Sequence, residues 1–117
     1  LSTCLQYGLP IKIINLNNAA LGMVKQWQDM QYGGRHSAST YENSLPDFCA
    51  LSESYGHVGI KVTKLAELES AMKECISLKD KLVFLDVDVD PDEHVYPMLE
   101  AGKAMDFMHL SKDKKTW

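Results

Sequence analysis

Three short apolar runs rich in β-branched residues, at 11–16, 58–62 and 82–89, alternate with stretches of helical spacing. The spacing predicts helices around 21–30, 46–55 and 65–78. Strands separated by helices of this kind form parallel βαβ units, so the expected class is α/β, a three-layer arrangement with a parallel sheet between flanking helices. Residues 1–7 read as the last turns of another helix. Ser44-x-x-Asp47 with Pro46 resembles a capping box opening the 46–55 helix, and Gly56 stands where a left-handed stop belongs. In the next helix Leu65, Leu68, Met72 and Ile76 are expected on one core-facing side, with Glu69 and Lys73 paired on its flank. Residues 31–43 lack periodicity and read as a loop. After Pro97 the pattern fades into a tail, residues 98–117.

At 117 residues, 45% hydrophobic and 24% charged, the chain has the composition of one ordinary globular domain with a modest core. Its net charge of -4 is uneven: residues 1–40 hold three Lys or Arg against one acid, and residues 41–117 hold nine against fifteen. No basic face suits nucleic acid, no apolar stretch approaches a membrane span, and no leader is visible. Cys4, Cys49 and Cys75 show no paired spacing and fall in helical segments. They are expected as reduced, buried thiols of a reducing compartment.

The junction after the first run carries the chemistry. Ile11-Lys-Ile-Ile-Asn-Leu stops at Asn17-Asn18, and Ala-Ala-Leu-Gly22-Met23-Val24-Lys-Gln-Trp27-Gln28 follows. In open α/β sheets ligands bind just beyond the carboxyl ends of the strands. Asn18 there is a neutral oxygen donor of the kind Mg²⁺ accepts, although an asparagine pair is also common in plain turns. Met23 and Trp27, four apart, share a helix face, which in isolation is more often core than site.

This string resembles the end of the thiamin-diphosphate-binding motif and, in its detail, the large catalytic subunit of the acetohydroxyacid synthase (acetolactate synthase) family. Gln31-Tyr-Gly-Gly-Arg-His-Ser37, Leu45-Pro-Asp-Phe48, Tyr55-Gly-His-Val-Gly-Ile60, Leu82-Val-Phe-Leu-Asp86 and His94-Val-Tyr-Pro-Met98 follow in that family's order, so the resemblance covers essentially the whole chain. It implies the C-terminal part of a thiamin-diphosphate (pyrophosphate-binding) domain. Mg²⁺ would be held by the Asn18 side chain, the Ala20 carbonyl and the aspartate of a Gly-Asp-Gly that these residues lack, and the chain is therefore expected to be a fragment. Leu21 and Gly22 amides would lie near the phosphates, Gly22 letting backbone approach, with Met23 beside the cofactor. Met23, Val24 and Trp27 would line the pocket for the second 2-keto acid, and Ala101 would belong to a segment folding over the channel. No catalytic residue is assigned within the fragment, since the activating glutamate comes from a partner subunit.

The implied parent decarboxylates pyruvate on thiamin diphosphate and transfers the two-carbon unit to pyruvate or 2-ketobutyrate, in branched-chain amino-acid biosynthesis. It would be a homodimer or larger, cytoplasmic in bacteria or organellar in a eukaryote, with FAD and a small regulatory subunit also implied. Pyruvate oxidase and glyoxylate carboligase share the implied fold and cofactor. A reading of another class, a non-catalytic α/β module with faces made for subunit contacts, applies to the isolated chain.

Other signals fail. An EF-hand loop from Asp86 needs Gly where Pro91 stands and Glu where Pro97 stands. Alternation places Asp86, Asp88 and Asp90 on the face of a half-solvated strand end. His36, His57, His94 and His109 lack metalloprotease spacing, and no serine sits in a nucleophile elbow.

Overall fold

The computed structural model describes residues 1–41 and 43–111. Contacts divide the chain into two units, Leu1–Ala19 with Glu42–Val89, and Ala20–Tyr41 with Asp90–Trp117.

In the first unit, α1 (Ser2–Gln6) precedes β1 (Lys12–Asn17), and α3 (Phe48–Ser54), β2 (Val58–Val62), α4 (Leu65–Ser77) and β3 (Val83–Asp88) come after α2 (Gly22–Gln31) of the other unit in the chain. The three strands are parallel in the order β1-β3-β2, with Asn15 and Lys61 both opposite Asp86. Alternation along β3 sends Val83, Leu85 and Val87 to one face, where they pack with Val62 and with Ala71 and Cys75 of α4. Phe84 points to the other face and stacks on Phe48 of α3, ring centroids 5.9 Å apart. Helices thus cover both faces, as the alternation predicted.

Several details depart from expectation. The cap of α3 is Asp47, whose carboxylate accepts the Ala50 N–H at 2.9 Å. Ser44 is not part of it, because the helix starts at Phe48, after Pro46. Gly56 does take the left-handed conformation after the helix, φ 79°. On α4 the inward side is Leu68, Ala71, Met72 and Cys75; Leu65 is 86% and Ile76 62% exposed, so the stripe lies rotated from the predicted one. The short side chains Ala71 and Cys75 are the buried ones on this side of α4. Glu69 and Lys73 pair as expected, at 2.6 Å.

Asp86 is the third departure. It is 2% exposed, since β1 and β2 flank it on the central strand, and its charge is balanced within the sheet. Asn15 Nδ2 donates to it at 2.7 Å, Asn17 Nδ2 at 3.4 Å and Lys61 Nζ at 2.6 Å. Asp88 and Asp90 are exposed as expected. Burial alone would lower the Lys61 ammonium, but hydrogen bonds to Asp86 and Asp88 outweigh it and hold the group above its ordinary value. Of the cysteines, all free, only Cys75 is buried. Burial, reinforced by the Asp86 and Asp47 charges, pushes the half-buried Cys49 thiol up.

The second unit contains α2 (Gly22–Gln31) and an antiparallel pair, β4 (Met98–Leu99) with β5 (Met108–His109). The fading pattern after Pro97 concealed this ribbon, because strands of two residues carry no periodicity. His109 is buried and hydrogen-bonds Glu100. The predicted loop is likewise shaped by contacts rather than pattern: Thr40 bridges back to Ala20 and Ser39 is fully buried. Glu42 of that loop and the end of the tail, 112–117, lie outside the described residues.

Candidate functional site

β1 ends where its last residue turns inward. Asn17 Oδ1 accepts the Ala19 N–H at 3.0 Å and Asn17 Nδ2 reaches Asp86, so both ends of its amide are engaged within the first unit. Ala19 takes a left-handed φ of 51° at this turn. Asn18, half-buried, follows the strand's carboxyl end, the position from which ligands are met in such sheets.

In the second unit the residues from Ala20 onward form a turn-to-helix junction. Ala20 is half-buried and bridges Thr40. α2 begins at Gly22, and no side chain caps it. Its first intrahelical bond runs from the Lys25 N–H to the Leu21 carbonyl, 2.8 Å, so the Gly22, Met23 and Val24 amides precede any intrahelical acceptor. One expectation changes here. The Leu21 N–H donates to the Ser39 carbonyl at 2.8 Å, because the 37–40 segment returns alongside it, and this amide is not directed to a ligand.

Met23, Val24 and Trp27 are 50%, 44% and 41% exposed, on the side of α2 opposite Lys25 and Gln26, which are 6% and 1% exposed. Neither Met23 nor Trp27 is buried among the described residues. Ala101 is exposed, in the turn between β4 and β5.

The buried side of α2 holds residues that sequence reasoning passed over. Lys25 Nζ pairs with Asp29 at 3.1 Å and with Asp92 at 2.7 Å. Asp29 also meets His36 Nε2 at 2.6 Å and His94 Nε2 at 2.9 Å. The bond to Asp92 raises the Lys25 ammonium against the burial that would lower it, with Asp29 adding to the rise. Burial alone would raise the Asp29 carboxyl, but hydrogen bonds from His36 and Lys25 outweigh it and hold the group below the ordinary carboxylate range. Gln26 clasps one residue's backbone: its Oε1 accepts the Val95 N–H at 2.8 Å and its Nε2 donates to the Val95 carbonyl at 3.0 Å. A lysine on the inward face of an amphipathic helix, with an aspartate four residues on, was the available signal.

Chemically, these residues offer neutral oxygens and backbone amides rather than an acid cluster. Among the described residues no group of three or more His, Cys, Asp or Glu could hold a metal ion. The cavity of about 210 Å³ at the carboxyl ends of β2 and β3, lined by Val62, Leu68 and Val87 among others, is smaller than the roughly 300 to 1,000 Å³ of ligand clefts. No helix of the described residues is long and apolar enough to cross a membrane.

Comparison with known proteins bears on the same residues. Residues 1–87 match the family model for the thiamine pyrophosphate enzyme, C-terminal TPP binding domain. The chain is 62% identical over 98% of its length to the acetolactate synthase large subunit of Haemophilus influenzae. It is 58% identical over 99% to the acetolactate synthase isozyme 3 large subunit of Escherichia coli, and 42% identical over 89% to the large subunit of Corynebacterium glutamicum. It spans about a fifth of the length of the first two of these relatives. An α/β sheet with helices on both faces and this match over most of the residues agree: the chain belongs to the C-terminal, thiamine-pyrophosphate-binding domain family of thiamine pyrophosphate enzymes.

Proposed function

We propose that these residues serve as the C-terminal part of an acetolactate synthase large subunit. In that subunit pyruvate is decarboxylated and the two-carbon unit passes to pyruvate or 2-ketobutyrate, on the way to branched-chain amino acids. The observation that carries the reading is the start of α2, uncapped by any side chain and followed by an exposed Met23–Trp27 face. Similarity to acetolactate synthase large subunits over nearly the whole chain supports it.

The residues fit a diphosphate with Mg²⁺. By likeness to the family's motif, Asn18 is assigned the side-chain ligand and Ala20 a carbonyl ligand, both hard neutral oxygens. The Gly22 and Met23 amides, at the positive end of α2, are assigned to the phosphates, and Leu21 supports them through its bond to Ser39. Thiamin diphosphate, when bound, supplies the carbanion chemistry. This chain's part is to hold its diphosphate end and, through Met23, Val24 and Trp27, to wall the acceptor site, with Ala101 in a covering segment. The Mg²⁺ aspartate, the activating glutamate, FAD and a small regulatory subunit belong, in this reading, to the rest of a homo-oligomeric assembly. Its location is the bacterial cytoplasm, or an organelle if the source is eukaryotic.

The test is a segment exchange. Residues 1–117, placed in the Escherichia coli isozyme 3 large subunit in place of the matching segment, are expected to give a subunit that forms acetolactate from pyruvate. The isolated chain with thiamin diphosphate and Mg²⁺ is expected to form none. A folded exchange protein without acetolactate formation would refute the proposal.

A further inference from the structure

Gln28 of α2 joins the wall of the proposed acceptor site to the turn that meets the cofactor. Its Oε1 accepts the Ser39 hydroxyl at 2.5 Å and the Ser37 N–H at 3.2 Å, and its Nε2 donates to the Ser37 carbonyl at 3.1 Å. Ser39, fully buried, passes the grip on, its carbonyl accepting the Leu21 N–H at 2.8 Å, while Thr40 bridges Ala20. Gln28 also follows Trp27 directly. A single side chain thereby ties the second turn of α2 to the backbone at residues 20 and 21, immediately before the helix start.

We propose that Gln28 is a positioning residue for cofactor binding: acting through Ser39, it fixes the Ala20 carbonyl and the Gly22 amide in the orientation that the metal and diphosphate require. The inference rests on the functional reading above. A buried hydroxyl stripped of its acceptor is costly, and a loop released from three hydrogen bonds gains freedom that binding must then remove. The effect falls on cofactor affinity rather than on keto-acid recognition, because Gln28 holds residues 20 and 21 while the Met23–Trp27 face stays in place on the helix.

The test uses the full-length large subunit carrying these residues, as wild type, Gln28→Leu and Gln28→Glu. Gln28→Glu keeps the acceptor oxygen for Ser39 and Ser37 but sets an oxygen that cannot donate against the Ser37 carbonyl. Two quantities are read: thiamin diphosphate affinity at fixed Mg²⁺, by calorimetry, and amide hydrogen exchange in peptides spanning 19–25 and 36–41. Gln28→Leu is expected to speed exchange in both peptides and to weaken cofactor affinity about tenfold, a loss on the scale of one or two hydrogen bonds. The KM for pyruvate at saturating cofactor should hold, and Gln28→Glu should recover part of both losses. Faster exchange with unchanged affinity overturns the proposal, as does unchanged exchange. A wild-type subunit that binds no thiamin diphosphate overturns the functional reading, and the inference with it.

Discussion

Gly59 of β2 lies beneath Cys49 of α3 so closely that a Cβ on Gly59 would stand 2.7 Å from the Cys49 Cα. The neighbour is helix backbone, so nothing flexible can yield. Gly59→Ala is expected to lift α3 from the sheet, disturbing the Phe48–Phe84 stack and costing about 1 to 3 kcal/mol. Urea denaturation of wild type and variant checks this. Equal midpoints would show that α3 is not held at this distance.

Lys61 balances a buried carboxylate. Asp86 is 2% exposed and retains only two neutral amides if the ammonium is removed. Lys61→Met should therefore destabilise, by about 2 to 4 kcal/mol given the partial exposure of the lysine, whereas Lys61→Met with Asp86→Leu should recover much of the loss. A double-mutant cycle in denaturant measures both.

The parts of the fold that repeat were legible, and the parts made by single contacts were not. Strands at β1, β2 and β3 and all three longer helices follow from periodicity, because packing against a sheet imposes it. The Asp86 environment did not follow, since alternation gives the face of a residue but not the lysine and asparagines that strand order brings beside it. Gly59 was readable in principle: an isolated glycine in a strand marks close backbone approach. At the site, the string ending in Trp27-Gln28 served as a family marker, while its mechanics, with Gln26 and Gln28 clasping backbone on separate segments, depend on where residues 95 and 37–39 return.

Asp29 gathers Lys25, His36 and His94. Its carboxyl is held below the ordinary value, so it contributes stability that is present above the unfolded-state pKa of about 3.9 and is lost as pH falls through the lower folded value. Asp29→Asn is expected to cost about 1 to 3 kcal/mol at neutral pH. The gap between wild type and variant should shrink below about pH 3.9. Thermal melts across pH 2.5 to 7 read the difference, and a gap that stays constant with pH would contradict the assignment.

Asn18→Ala in the full-length subunit should weaken Mg²⁺-dependent binding of thiamin diphosphate, because a methyl group cannot replace the lost oxygen ligand. Ala20→Gly retains the carbonyl and should bind more nearly as wild type does. Titration with cofactor at several Mg²⁺ concentrations separates the two. Unchanged affinity in the Asn18 variant would remove it from the ligand set.

Trp27 is 41% exposed on the face it shares with Met23, which fits a wall better than a core element. Trp27→Leu in the full-length subunit should accordingly preserve pyruvate decarboxylation and leave the melting temperature little changed. It should also reduce the preference for 2-ketobutyrate as acceptor, since the extra methylene loses the surface against which it packs. A contact worth about 1 to 2 kcal/mol corresponds to a roughly 5- to 30-fold fall in the acceptor ratio. Were Trp27 a core residue instead, the same substitution would cost several kcal/mol and depress both products together. Competition between pyruvate and 2-ketobutyrate, run beside a thermal melt, distinguishes the outcomes: an unchanged product ratio with a collapsed melting temperature would sink the pocket assignment.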